Sequence, residues 1–159
     1  MRTFNLFILL TFIAGSTRLY SQDNQNSIFE RSKGKWLLPI PKYHRVIDNN
    51  LTIPYGSDGI LFLTDSSYLV RAVFDGSVIA TYSYEENSYA ILVKFGDYFI
   101  SYSFLTKLRF KKGDYIKSGD IIGTLIKDVD EPSYELDIIL QKKTKSMPVY
   151  KWFNWQRGT

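Results

Sequence analysis

The chain has 159 residues, a formal net charge of +4 and no cysteine, and 16% of its residues are aromatic. A charge this small gives no case for nucleic-acid binding, in which basic residues must neutralise a row of phosphates. The absence of cysteine excludes disulfides, so stability must come from a hydrophobic core, and the length suffices for one domain.

The first 21 residues have the layout of a secretory signal peptide. Arg2 precedes an apolar run over residues 4–14, and small and polar residues then lead to Ser21. A basic start, an apolar centre of about 7–15 residues and a small residue at the cut are typical of such signals, whereas a membrane span needs about 20 apolar residues. We expect cleavage of residues 1–21 to give an exported protein, periplasmic or secreted, without a transmembrane anchor. Loss of Arg2 and Arg18 lowers the charge from +4 to +2.

Residues 22–34 are polar and have no apolar period, so they are predicted to be a flexible lead-in to a domain over residues 35–155. Within that domain, short apolar stretches alternate with turn residues, and no stretch keeps a 3.6-residue period for three turns. The pattern predicts an all-β domain. Strands are predicted over residues 59–63, 68–73, 77–82, 89–95, 98–104, 121–126 and 134–140.

Turn dipeptides organise these strands. Gly96-Asp97 separates two strands by two residues, which predicts a tight hairpin. Residues 111–122 contain two near-copies of one phrase, KKGDYI and KSGDII, and each Gly-Asp predicts a turn. The strand over 89–95 is apolar on both faces, which is typical of a strand covered by a second layer. We therefore predict a two-sheet antiparallel sandwich in which the repeat carries the chain between the sheets.

The order and spacing of several phrases resemble the M23 peptidases, the lysostaphin-like or LytM-like zinc endopeptidases of bacterial cell walls. The phrase SDGILFLTDSSYLVRAVFDGSVIA (57–80) resembles the family's His-x-Gly-Ile-Asp-Ile and Val-x-Ala-Val-x-Asp-Gly-x-Val. The Lys-x-Gly-Asp repeat resembles the family's Val-Lys-x-Gly-Asp-x-Val loop, and SYELDII (133–139) falls where the family has His-x-His-Phe-Glu-Ile. The resemblance implies the M23/LytM sandwich, of the duplicated-hybrid or barrel-sandwich type, with a groove across one sheet.

The resemblance also assigns the family's functional positions. Its three zinc ligands fall on Ser57, Leu61 and Glu135, and its two catalytic histidines fall on Phe104 and Ser133. A catalytic zinc needs three protein ligands of N, S or O type, but leucine has no lone pair, and phenylalanine cannot transfer a proton. We therefore expect no zinc, no other cofactor and no enzymatic activity, so that the protein is a pseudoenzyme.

The same positions suggest a groove that binds without a metal. The candidate groove residues are Ser57, Tyr102, Phe104, Ser133, Glu135 and Asp137. A polar and aromatic floor suits a peptide or glycan, held by hydrogen bonds and ring stacking. A second interpretation stays open, namely that these side chains repacked after activity was lost. The resemblance then implies a peptidoglycan-binding module or a regulator of cell-wall hydrolases, with peptidoglycan or a hydrolase as partner.

Two further interpretations belong to other classes. A metalloendopeptidase with a non-standard site would have to use Glu135, Asp58 and His44, but His44 is the only histidine and is predicted to be a surface loop residue. A lipoyl- or biotinyl-type carrier also uses a Lys-x-Gly-Asp turn. Such a carrier needs a modifiable lysine at a hairpin tip, and the Gly96-Asp97 tip has none.

Overall fold

The computed structural model describes residues 21–48, 59–85, 87–127 and 133–157, which contain one helix, ten antiparallel strands and two short 3₁₀ helices. Helix α1 covers residues 21–30. The strands are β1 (Arg45–Asp48), β2 (Gly59–Thr64), β3 (Leu69–Arg71), β4 (Gly76–Glu85), β5 (Ser88–Phe95), β6 (Tyr98–Thr106), β7 (Tyr115–Ile116), β8 (Ile121–Leu125), β9 (Tyr134–Lys142) and β10 (Lys145–Met147). The 3₁₀ helices are Val149–Trp152 and Trp155–Arg157.

The strands form two layers that are joined through β6. The larger layer has the order β1-β2-β9-β6-β5-β4-β7, and β10 extends it beside β9. Strand β6 pairs with β9 as far as Ser103, and from Leu105 onwards it pairs with β8. Strand β8 in turn pairs with β3, so the end of β6 leads into a small second layer.

The hydrophobic core lies between the two layers. Val70 and Ile122 of the small layer are fully buried together with Ile100 and Ile138 of the large layer. Trp152 of the C-terminal segment is also fully buried and closes one end of this core. The predicted all-β antiparallel sandwich is therefore confirmed, although β1, β7 and β10 are short strands that the sequence pattern did not predict.

The predicted turns are confirmed. Phe95 pairs directly with Tyr98, so Gly96-Asp97 is a two-residue hairpin, and Gly96 has a φ of +60°. In the repeat, Gly113 and Gly119 have φ values of +99° and +90°, which favour glycine. Asp114 and Asp120 each accept a backbone hydrogen bond from the residue three positions earlier, at 2.8 and 2.9 Å. Each Gly-Asp copy is thus a self-closed turn.

The predicted flexible lead-in differs from the structure, because residues 21–30 are helical and pack onto the domain. Phe29 is fully buried and stacks on Tyr98, with ring centroids 4.0 Å apart. Asn26 donates to the Asp97 carboxylate at 2.9 Å and accepts from the Asp97 backbone N–H at 2.8 Å. A polar segment therefore becomes ordered through one aromatic anchor and amide contacts to the β5–β6 hairpin.

The predicted signal peptide lies almost entirely outside the described residues, which begin at residue 21. Within the described ranges, no helix has the length and apolar character needed to cross a membrane.

Candidate functional site

The face of the large layer opposite the core carries a row of side chains that crosses four strands. Ser103 of β6 lies opposite Asp137 of β9, and Asp137 lies opposite Leu61 of β2. On the other side of Ser103, this face continues through Ala90 of β5 to β4. There, Tyr82 is the cross-strand partner of Ala90. We call this surface the open face. Its middle consists of small residues and a carboxylate, and its ends are a leucine and a tyrosine that is 52% exposed.

Asp137 is the electrostatic centre of the open face. Its Oδ1 is buried and has no hydrogen-bond partner among the described residues. A Cβ built on Gly59 would lie 2.6 Å from this oxygen, so only glycine leaves room for the carboxyl group there. Burial, and secondarily the charge of Glu135, raises the pKa of Asp137 to about 6. The carboxyl group therefore changes its charge near neutral pH.

Glu135 and Ser133 lie at the start of β9, on the side of the open face where β6 turns away. Glu135 lies opposite Leu63 and, by strand alternation, on the same face as Asp137. Leu61 lies opposite Asp137, so Leu61 and Glu135 are diagonal neighbours on adjacent strands. Such neighbours are about 7–8 Å apart, and both side chains therefore face the same region of the sheet. Both Glu135 and Ser133 are half-buried.

Phe104 lies at the point where β6 changes partners. It has a φ of +64°, which is unusual for a bulky residue, and its side chain is 38% exposed. Its carbonyl accepts a hydrogen bond from the Ile126 backbone N–H at 3.1 Å. The left-handed conformation breaks the alternation of β6, because Tyr102 and Leu105, which are three positions apart, both lie in the core. The strand therefore presents an aromatic ring to solvent at the end of the open face.

Tyr102 does not line the groove, in contrast to the sequence-based prediction. Its side chain is fully buried on the core face, and its hydroxyl accepts a hydrogen bond from the Val73 backbone N–H at 3.0 Å. Burial raises the pKa of this phenol. Ser103 occupies the open face instead, and the alternation around a buried Tyr102 was the signal that could have identified it.

Two other predicted residues lie apart from this arrangement. Ser57 is outside the described residues. The His44 imidazole is 3.1 Å from the Asp65 carboxylate, and the side chain is 43% exposed. His44 is therefore the surface residue that the sequence predicted.

Comparisons with known proteins identify the family. The family model described as peptidase family M23 matches residues 55–148. This match covers more than half of the chain, and the chain belongs to peptidase family M23. No curated protein matches the sequence.

Solved structures share the fold. Csd3 from Helicobacter pylori superposes with a TM-score of 0.61 at 16% identity, over 74% of this chain and 33% of that chain. A complex of SpoIIIAH and SpoIIQ gives a TM-score of 0.58 at 16% identity, over 73% of this chain and 98% of that chain. A putative M23 peptidase from Pseudomonas aeruginosa gives 0.57 at 17% identity, over 75% and 50%. The chain thus spans about a third of the length of Csd3.

The residues on the open face do not fit the zinc ion of the family. Leu61, to which the resemblance assigns a ligand position, offers only carbon atoms and lies opposite the half-buried carboxyl group of Asp137. Across the described ranges, no group of three His, Cys, Asp or Glu side chains could hold a metal ion. The arrangement instead offers hydrogen-bond acceptors on a small-residue floor beside an exposed ring.

Proposed function

We propose that this chain is a non-catalytic M23 domain of the bacterial cell envelope, which binds a peptide or glycan on its open face or regulates a cell-wall hydrolase. The observation that carries the proposal is Leu61. A hydrocarbon side chain at a ligand position, directly opposite Asp137, removes metal binding but keeps the shape of the sheet.

The second support is the replacement of proton-transfer groups. Phe104 and Ser133 stand where the family has its two catalytic histidines, and neither side chain can act as a general acid or base near neutral pH. Hydrolysis of a peptide bond by this site would therefore lack both a metal-bound water and a residue to move its proton.

The third support is the character of the surface that remains. The half-buried carboxyl group of Asp137 gives the open face a polar centre, and the exposed ring of Phe104 offers a flat contact. One of the structural relatives was solved in a complex with another protein, SpoIIIAH. A protein partner is therefore as compatible with this fold as a cell-wall fragment.

Binding to purified peptidoglycan fragments tests the open-face part of the proposal. Replacing Phe104 by Asn removes the ring at a position where Asn tolerates the positive φ. This change should weaken binding by about 2- to 13-fold, since ring contacts contribute about 0.5–1.5 kcal/mol. Tyr150→Asn is the matched control, because Tyr150 is similarly exposed but lies in the C-terminal segment. Equal binding by both variants would contradict an open-face site, and a hydrolase recovered with the protein from an envelope extract would then favour the regulatory role.

A metalloendopeptidase with a non-standard metal site is the alternative. It would require Glu135 together with Asp58 and His44, yet His44 is already paired with Asp65. Stoichiometric zinc in the purified protein, measured by elemental analysis, would favour this alternative.

A further inference from the structure

A group of six cations lies on β3 and on the connection between β6 and β8, beside the edges of both layers. Its members are Arg71 of β3 and five residues of the connection between β6 and β8, and all six are exposed. We call this group the basic surface, which consists of Arg71, Lys107, Arg109, Lys111, Lys112 and Lys117.

The backbone contacts show that the basic surface is continuous. Arg71 pairs with Ile121 on one side of β8, and the Arg109 backbone N–H donates to Ile122 on the other side. The Arg71 guanidinium also donates to the Gly119 carbonyl at 3.0 Å, which brings it to the second turn of the repeat. Lys111 and Lys117 are six residues apart, so at most about 20 Å of chain separates them.

The carboxylates that the structure describes in the turns beside the basic surface bind backbone N–H groups. Asp75, Asp114 and Asp120 each accept a backbone N–H hydrogen bond at 2.7–2.9 Å, which fixes them within the turns. Over the described ranges, the recorded ion pairs involve His44, Lys142 and Lys143, and none involves the basic surface. Among the described residues, the six cations and these three carboxylates give a local charge of +3.

Both turns of the repeat are open to solvent on one side. A Cβ at Gly113 or Gly119 would have nothing within 4 Å, although each glycine backbone is held by a hydrogen bond to the neighbouring Val78 or Ala72 carbonyl. Beside these turns, Leu69 is 43% exposed on the same face of β3 as Arg71. An apolar side chain among exposed cations is the composition of a surface that contacts a lipid interface.

We propose that the basic surface docks the protein onto a bilayer that contains anionic phospholipids. Each lysine or arginine close to such a surface contributes about 1 kcal/mol of attraction, and a cluster of four to eight is the usual size of a lipid-binding patch. A soluble polyanion is less favoured, because the exposed turns provide no channel that would follow a polymer chain.

Vesicle sedimentation tests this proposal with protein purified from the organism that produces it. Mass spectrometry establishes whether residues 1–21 have been removed from the purified protein. The probes are vesicles of phosphatidylglycerol mixed with phosphatidylcholine, and vesicles of phosphatidylcholine alone. Lys111, Lys112 and Lys117 are replaced together by Gln. The control replaces Lys35, Lys145 and Lys151 by Gln, which gives the same change of charge at exposed positions elsewhere.

We expect preferential binding to the anionic vesicles, weakened by added salt and about 100-fold weaker for the turn variant, with the control close to the unmodified protein. Circular dichroism should show the same melting temperature for all three proteins. Anionic vesicles bound equally by the turn and control variants would overturn the proposal, as would no preference for anionic over neutral vesicles. Binding of the protein to a soluble polyanion, without binding to anionic vesicles, would also overturn the proposal.

Discussion

At the scale of single residues, Asp137 has the least typical environment of the open face. The residue is half-buried, and one of its carboxyl oxygens is buried without a partner among the described residues. Burial and the charge of Glu135 raise its pKa from an ordinary value of 3.8 to about 6. The folded state therefore favours the protonated carboxyl group. Above about pH 6 the group is ionised, and the ionised form lowers the free energy of unfolding.

Asp137→Asn should consequently stabilise the protein at pH 7.5 by about 1–3 kcal/mol, since each pKa unit corresponds to about 1.4 kcal/mol. The sign follows from the raised pKa: the stability contributed by the wild-type carboxyl is complete below about pH 4 and is lost as the pH rises through about 6. The gain from the variant should therefore disappear at pH 4. Chemical denaturation at both pH values measures this, and destabilisation at pH 7.5 would contradict it.

The glycines of the repeat give a second prediction at this scale. Gly119 has a φ of +90°, and a Cβ would meet no atom within 4 Å, so any cost of substitution arises from the backbone alone. Gly119→Val should lower the free energy of unfolding by about 1–3 kcal/mol, and Gly113→Val should behave similarly. Gly119→Asn should cost less, because Asn tolerates positive φ. An unchanged melting temperature for Gly119→Val would contradict the turn assignment.

Residue-level prediction from the sequence failed where the backbone departs from strand geometry. Tyr102 and Phe104 were both assigned to the groove, because the resemblance places them on a phrase that contributes to the family's groove. The positive φ of Phe104 instead turns its ring outwards, while Tyr102 stays in the core. No local sequence pattern predicts a left-handed conformation for phenylalanine. The conformation occurs where the pairing partner of β6 changes from β9 to β8.

At the scale of elements, helix α1 shows that tertiary contacts can stabilise a helix in a segment with few apolar residues. Its sequence has too few apolar residues to predict a helix, and short helices are marginal in isolation. Phe29 supplies the missing stability by packing against the rings of Trp36, Phe74, Tyr98 and Trp152. The Glu30 carboxylate adds a hydrogen bond from the Tyr98 hydroxyl and an ion pair with Lys142 at 3.1 Å.

Phe29→Ala should therefore destabilise the protein by about 3–5 kcal/mol, the usual cost of removing a buried ring. The neighbouring Ile28 is 41% exposed, so Ile28→Ala on the same helix is the matched control and should cost no more than about 0.5 kcal/mol. Thermal denaturation compares the two. Similar small effects for both variants would mean that α1 contributes little to the domain.

The strands were more accessible to sequence reasoning than the helix. Seven apolar stretches bounded by turn residues correspond to β2, β3, β4, β5, β6, β8 and β9 within a few residues. Strands β1, β7 and β10 have only two to four residues and are defined by their pairing partners, so they leave little periodicity to detect. Strand pairing across 40 or more residues is likewise invisible to local patterns.

At the scale of the whole molecule, the M23 fold is kept, and we propose that the residues at the family's functional positions differ. A combined substitution tests whether the ligand positions are correctly assigned. Ser57→His, Leu61→Asp and Glu135→His together should give a protein that binds zinc, since ligand type and geometry determine binding. Hydrolysis should still be absent, because Phe104 and Ser133 provide no proton transfer and the new ligands lack supporting hydrogen bonds. Zinc content by elemental analysis is the measurement, and its absence would place the assignment of the ligand positions in doubt.

Incubation of the unmodified protein with peptidoglycan and with a pentaglycine reporter peptide tests the central claim most directly. The assay is run with and without added zinc, and an active M23 peptidase in parallel verifies the substrates. The account predicts no release of cleaved product in either condition, because Leu61 removes a ligand and Phe104 removes a proton carrier. Cleavage that a chelator abolishes would contradict it.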